Sequence, residues 1–334
     1  MFSVFFLHHA VLLGIYIILT LSLNLINGYC GLFSLGHAGF MAIGAYTSAV
    51  FVNVLSHAFP EILSFAPIFF LFLSLLAGFA MTSFMGLLIG LPCMRLKGDY
   101  LAIATLAFGE IIHQIIINSQ TLGGTKGYEI QPILVVQQSR QLMHIFGMDI
   151  PKKLFYQEFF LATTIVGVLG TFFLIRRLMS SAHGRAIHSI REDERAADLL
   201  GIHTVKYKLL VFFLGSGLAG FAGALYAQFM RLIGPADFDL MKTVTLLLMV
   251  VLGGMGNQGG IILATFILYA IPEILRADLL SFWITNMGFD PSLTMPIVHF
   301  SRILSSGFQI VYALLLIILM ICRPQGIFGK KRNL

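Results

Sequence analysis

Few residues in this chain are spaced for chemistry. Gly254-Met-Gly256-Asn-Gln-Gly259 fits the GxGxxG pattern that cradles a dinucleotide, and Asp278 follows at roughly the distance of a ribose-binding acid. That chemistry needs a strand before the glycines and a water-accessible βαβ unit. Here the flanking runs, 245–252 and 261–270, suit lipid, so the expectation is a glycine-rich helix break where backbones approach closely. Glu110 and His113 stand three apart on one helix face, but a di-iron bundle needs two such pairs and more carboxylates. An ionisable Glu within an apolar run is costly in lipid and must face protein, water or a partner, which gives it a structural or a pathway role. His37, in Gly36-His37-Ala38-Gly39 where an apolar run begins, is expected to close an interhelical hydrogen bond or to line a path. Ser34 lies three residues before it, yet nothing supplies an oxyanion hole or an orienting carboxylate. Cys30, Cys93 and Cys322 are too few and too scattered for a disulfide framework or a zinc site. The Gly123-Gly-Thr-Lys-Gly127 loop is not GxxxxGK[ST], and no such phosphate loop occurs anywhere in the chain. The reading is therefore not an enzyme: no metal or cofactor is assigned to this chain, and any ATP-driven role needs a partner subunit.

The most informative polar stretch is Gly184-Arg-Ala-Ile-His-Ser-Ile-Arg-Glu-Asp-Glu-Arg-Ala-Ala-Asp-Leu-Leu-Gly201. Ile187, Ile190, Ala197 and Leu200 form a partial helical stripe, while Arg191, Glu192, Glu194, Arg195 and Asp198 charge the remaining faces. Gly201 would stop the helix. Anionic headgroups repel this many carboxylates, so docking into a groove of a soluble partner is favoured over lying on a membrane surface.

Composition dictates what must position these residues. The 334-residue chain is 58% hydrophobic and 11% charged, with a mean hydropathy of +0.91, where soluble domains hold about 45–50% apolar and about 25% charged residues. Such an apolar excess cannot be hidden inside one globule, so the solvent is lipid. A soluble enzyme, a nucleic-acid-binding module and a disordered chain are excluded together. The net charge of +6 sits in short loops between apolar runs rather than in a basic patch. The first Lys or Arg is Arg95, so the basic start of a secretory signal is missing.

A bilayer core takes about 20 apolar residues per helix. Predicted spans are 9–27, 36–56, 67–90, 99–118, 156–175, 208–231, 240–255, 259–276 and 303–322, with 240–276 either two short spans or one broken pair. The fold class is an all-α integral membrane protein, a polytopic bundle of about nine transmembrane helices with broken or glycine-rich spans, forming one domain over 1–334. Continuous apolar runs, rather than alternation, argue against a barrel. Placing the C-terminus in the cytoplasm puts Arg95, Lys97, seven basic residues in 176–208 and four after 322 inside, thirteen of the chain's 21. Nine spans then leave the N-terminus outside. Residues 119–155 become an external loop and 176–208 a cytoplasmic one, both too short to fold as domains.

Several of these stretches, in register along nearly the whole chain, resemble the permeases of branched-chain amino acid ABC transporters. They are 24–46 (Asn-Leu-Ile-Asn-Gly-Tyr-Cys-Gly-Leu-Phe-Ser-Leu-Gly-His-Ala-Gly onward), 96–111, the 123–127 loop, 184–201, 249–256 and the ending Arg323-Pro-Gln-Gly-Ile-Phe-Gly329. Within that family the resemblance is to the LivM type, the partner of a LivH-type permease.

The resemblance implies a subunit of an importer in the bacterial inner membrane for leucine, isoleucine and valine. Its partners would be a second permease, two cytoplasmic ATPases that use ATP and Mg, and a periplasmic binding protein docking near 119–155. Residues 176–208 would be the coupling loop, with Arg185, Arg191, Glu192, Glu194, Arg195, Ala196, Ala197 and Gly201 as its candidate contacts. The family pattern reads Glu-Ala-Ala, three residues, then Gly; here Arg195 stands where the Glu is expected, and Glu194 is one place earlier. Gly36, His37, Gly39 and Glu110 are the candidate path or helix-packing residues. The alternatives are a permease for urea or another small amide and, in a different class, an ion-coupled carrier. A carrier calls for several mid-membrane carboxylates, and Glu110 and Glu273 are the plausible ones here.

Overall fold

The computed structural model describes residues 2–58, 67–94, 96, 98–131 and 152–274, together with Leu314 and Ile317. Six helices are long and apolar enough to cross a bilayer: Val4–Tyr29, His37–Ala58, Ile68–Cys93, Asp99–Asn118, Tyr156–Ser180 and Thr204–Met230. They belong to α1 (Phe2–Asn24, continued by a π-helical turn Leu25–Tyr29), α2 (His37–Ala58), α3 (Pro67–Cys93), α4 (Asp99–Asn118), α5 (Lys152–Ser180) and α8 (Thr204–Met230). Two short helices, α6 (Ala182–Glu192) and α7 (Glu194–Leu199), fill the interval before α8. A pair follows, α9 (Leu240–Gly253) and α10 (Gln258–Ile274). Six full-length spans and one short pair thus stand where eight of the nine spans were predicted. The ninth, 303–322, lies outside the described residues apart from Leu314 and Ile317, so a count of nine is not established.

The ambiguity over 240–276 resolves as a hairpin of two short helices, because the glycines at 254 and 256 take positive φ and turn the chain. A helix, not a strand, precedes them, and the dinucleotide pattern lies in a helix break. α10 runs antiparallel along α1. His9 Nδ1 meets the Tyr269 hydroxyl at 3.0 Å, Thr20 meets Thr265 at 3.0 Å, and Gly256 N–H donates to Asn24 Oδ1 at 2.8 Å. Glu273 is held in the same seam by His9, 3.2 Å away.

α8 is the central post, buried almost without interruption from Gly215 to Phe229 and packed on α1, α2 and α3. Small residues let these backbones close without a hydrophobic drive between helices. At Gly78 an added Cβ would stand 2.8 Å from the Ala224 Cβ and 3.0 Å from the Gly44 carbonyl, so three helices meet there. Large apolar side chains such as Phe69, Phe72 and Phe84 on α3 and Val166 and Phe173 on α5 stay exposed, as a lipid solvent allows.

Two ends are distinct. At one, β1 (Tyr128–Glu129) pairs antiparallel with β2 (Leu232–Ile233), and Asn53 clamps the same strand through the Glu129 carbonyl at 2.8 Å and Gln131 N–H at 2.9 Å. At the other lie the end of α1, the start of α2 and α6–α7. Residues 119–131 and 181–201 are therefore on opposite ends of the bundle, while 132–151 lie outside the described residues.

Candidate functional site

The site is built around a break in the first pair of helices. Between the π turn and α2 the chain runs without helical hydrogen bonds, and its buried backbone groups need side-chain partners. Asn27 serves twice, accepting from Ser34 N–H at 3.1 Å and donating to its carbonyl at 3.3 Å. Thr105 on α4 accepts from Leu35 N–H at 2.9 Å, and Thr243 on α9 accepts from Ala38 N–H at 3.3 Å. The break is thus pinned by α1, α4 and α9 at once. His37 is fully buried, its Nε2 2.7 Å from Ser22 Oγ on α1; it joins two helices rather than facing open space in this chain. Gly36 and Gly39 lie at the crossing of α2 with α4, where a Cβ on Gly39 would stand 2.8 Å from Gly109 Cα.

Directly against this break sits the α6–α7 segment. The Ser181 side chain caps α6 by accepting from Gly184 N–H, and Asp193 caps α7 by accepting from Arg195 and Ala196 N–H at 2.8 and 3.1 Å. Two caps in succession convert one predicted helix into two, with extended backbone at Asp193. Gly201 follows α7 with φ +81°, the expected stop.

The eight candidate residues divide by direction. Ala197 is buried, Arg191 and Glu194 are half-buried, and Arg185, Glu192, Arg195, Ala196 and Gly201 are exposed. Arg191 reaches inward: a Cβ added at Gly256 would stand 2.9 Å from its Nη1, and one at Gly31 3.2 Å from its Cγ. Glu194 pairs with the buried Lys208 Nζ at 2.6 Å, fastening α7 to α8. His188 stands edge-on to Tyr29, with ring centres 5.8 Å apart. Burial and then the Arg191 charge hold this imidazole below its ordinary range, against the pull of Glu192. Cys30 is sealed beneath: burial pushes its thiol up to about 12, with Lys208 lowering it and Glu194 raising it.

Leu200 departs from the predicted stripe. Ile187, Ile190 and Ala197 are buried as expected, but Leu200 is 79% exposed, because the break at Asp193 rotates α7 out of register with α6. Leu199 beside it is 89% exposed and had no place in the sequence reading. The two form an apolar tip ringed by Arg195, Asp198 and Gly201. Asn24, Asn27, Thr105 and Thr243 were also missed; their one signal was an amide or hydroxyl inside an otherwise apolar run.

Glu110, placed with Gly36 and His37 in the sequence reading, is not brought to this break. It lies farther along α4 on the exposed face, 48% exposed, with Gln114 Nε2 donating to its Oε1 at 3.0 Å and His113 Nδ1 3.5 Å away. Among the described residues no group of three His, Cys, Asp or Glu could hold a metal ion.

The family described as "Branched-chain amino acid transport system / permease component" matches residues 5–321. The LivM permease protein of the high-affinity branched-chain amino acid transport system of Escherichia coli is 33% identical over 97% of this chain and 70% of its own length. A probable LivM permease of Methanocaldococcus jannaschii is 25% identical over 95% of this chain and 91% of its own. The Escherichia coli LivH permease is 31% identical over a 150-residue stretch, 45% of this chain and 41% of its own. No solved structure matches. With residues 5–321 matched and a buried, glycine-packed bundle presenting one capped polar segment, the chain belongs to the permease components of branched-chain amino acid transport systems.

Proposed function

We propose that this permease forms half of the path of an ATP-driven importer for leucine, isoleucine and valine, and docks a cytoplasmic ATPase through α6–α7. The observation that carries the docking assignment is the contrast between the two sides of that segment. One side is fastened by Arg191, Ala197 and the Lys208–Glu194 pair, while the other lifts Leu199 and Leu200 into solvent. Exposed apolar side chains on a rigid, capped support are what a partner's groove buries. Each buried leucine contributes about 1.5–3 kcal/mol.

A push on the tip has a defined route inward. Arg191 rests between Gly31 and Gly256, so displacement of α6 bears on the break after α1 and on the α9–α10 turn together. Lys208 carries the same motion to α8, the central post. The break is pinned by side chains from three helices, so a shift of any of them acts on it. ATP and Mg act in the partner subunit.

The excess of basic residues in 176–208 and after 322 supports a cytoplasmic α6–α7 end, an external β1–β2 end where a periplasmic binding protein docks, and an N-terminus outside in a bacterial inner membrane. A mild-detergent pull-down with mass spectrometry tests the assembly. Recovery of a LivH-type permease and Walker-motif ATPases is expected. A chain that purifies alone and moves solute in liposomes under an ion gradient would replace the importer by a carrier. Competition of leucine uptake by excess urea, with none by isoleucine or valine, would move the substrate to the small amides.

A further inference from the structure

We infer that the exposed face of α4 bearing Ala107, Glu110, Gln114 and Asn118 is the seam on which the second permease subunit packs, with a hydrogen-bond donor of that subunit meeting the Glu110 carboxylate. The inference rests on the two-permease reading and deepens it by assigning the surface.

Glu110 lies 11 residues after Asp99 and 8 before Asn118, about 16 and 12 Å from the two ends of its helix. Among the described residues of the six spanning helices it is the one Asp, Glu, Lys or Arg more than two turns from either end. Both of its described contacts fall on Oε1, from Gln114 and His113. A carboxylate offers about four acceptor positions. Ionisable side chains this far inside a span almost always face protein or a water-filled cavity, which would fill the rest.

The surroundings fit a helix better than any other occupant. Glu110, Gln114 and Asn118 recur every four residues, making one polar line down α4 between Leu106 and Ile115. Amides in hydrocarbon are what interhelical contacts use. The exposed Phe69, Phe72 and Phe84 on α3 and Val166 and Phe173 on α5 suit lipid, as do Ile103, Ile111 and Ile115 beside the polar line on α4. The opposite side of α4 is already taken by α2, at the Gly39–Gly109 crossing. Depth excludes a soluble partner. A second copy of this chain would set two Glu110 carboxylates against each other, which like charge disfavours. A distinct permease that brings a donor satisfies the site.

The test uses the assembled transporter with a benzoyl-phenylalanine crosslinker at position 107 or 114, and at 72 or 166 for comparison. Adducts with the second permease from 107 and 114, but not from 72 and 166, are expected. With wild-type α4 intact elsewhere, Glu110→Leu should lower the co-purified second permease on the order of tenfold, and Glu110→Gln, which keeps an acceptor, by less. Lipid-only or self-adducts from 107 and 114 would overturn the seam while leaving the importer standing. If the wild-type chain recovers no second permease at all, the importer reading fails and the seam with it.

Discussion

At Leu199 and Leu200, the last residue of the six-residue α7 and its C-cap, the fold leaves two large apolar side chains 89% and 79% exposed. On the docking proposal, the partner's groove covers them and removes their apolar surface from water. Replacing both by Asp should cut co-purification of the ATPase at least about tenfold, leaving membrane insertion unchanged; equal recovery from mutant and wild type would remove α7 from the interface. Cys30 gives a second readout at this scale. Its thiol is raised from 9.0 to about 12, so at pH 8 its thiolate fraction is about 10³-fold below that of an ordinary cysteine. The group is neutral in the fold, so its burial begins to cost stability only as the pH rises through the unfolded value of 9.0. Maleimide labelling at pH 8 should spare Cys30 until the protein is denatured, and rapid labelling of the folded protein would contradict the sealed seam under α6.

Among the elements, the α9–α10 turn matters because Arg191 of α6 reaches it as well as Gly31. Gly256 takes φ +90°, and a Cβ there would stand 2.9 Å from Arg191 Nη1. Gly256→Val should therefore strain the turn by about 1–3 kcal/mol and displace Arg191. The expected phenotype is an assembled transporter whose ATP hydrolysis no longer drives uptake; normal coupling in proteoliposomes would show that Arg191 carries no motion. His37, which joins α1 to α2, belongs to this scale too. His37 with Ser22, and Thr105 with Leu35, hold a broken backbone that neither helix could hold alone.

For the whole molecule, the separation of two polar ends is the feature with a direct test. Single cysteines placed in 120–131 and in 182–201 should label from opposite sides of the membrane, the second set from the cytoplasm. Labelling of both sets from one side would break the bundle described here. Among the described residues, exposed aromatic and aliphatic side chains mark α3 and α5, while α4 also exposes the Glu110 carboxylate.

Composition and run length alone determined that the solvent is lipid, that the elements are helices, and nearly where eight of them lie. These properties are sums over many residues and survive any local arrangement. Motifs in register determined the family. The sequence also singled out 184–201 as the most informative polar stretch, a mixed-charge segment between apolar runs. What it left open were directions and distances. Whether Glu194 faces out or pairs with Lys208, whether Leu200 lies in the stripe or beside it, and whether Glu110 joins His37 or stands on the opposite face all turn on a break at Asp193 and a crossing at Gly39. A rotation of one residue about a helix axis is about 100°, enough to exchange buried for exposed. Only packing in three dimensions fixes that angle.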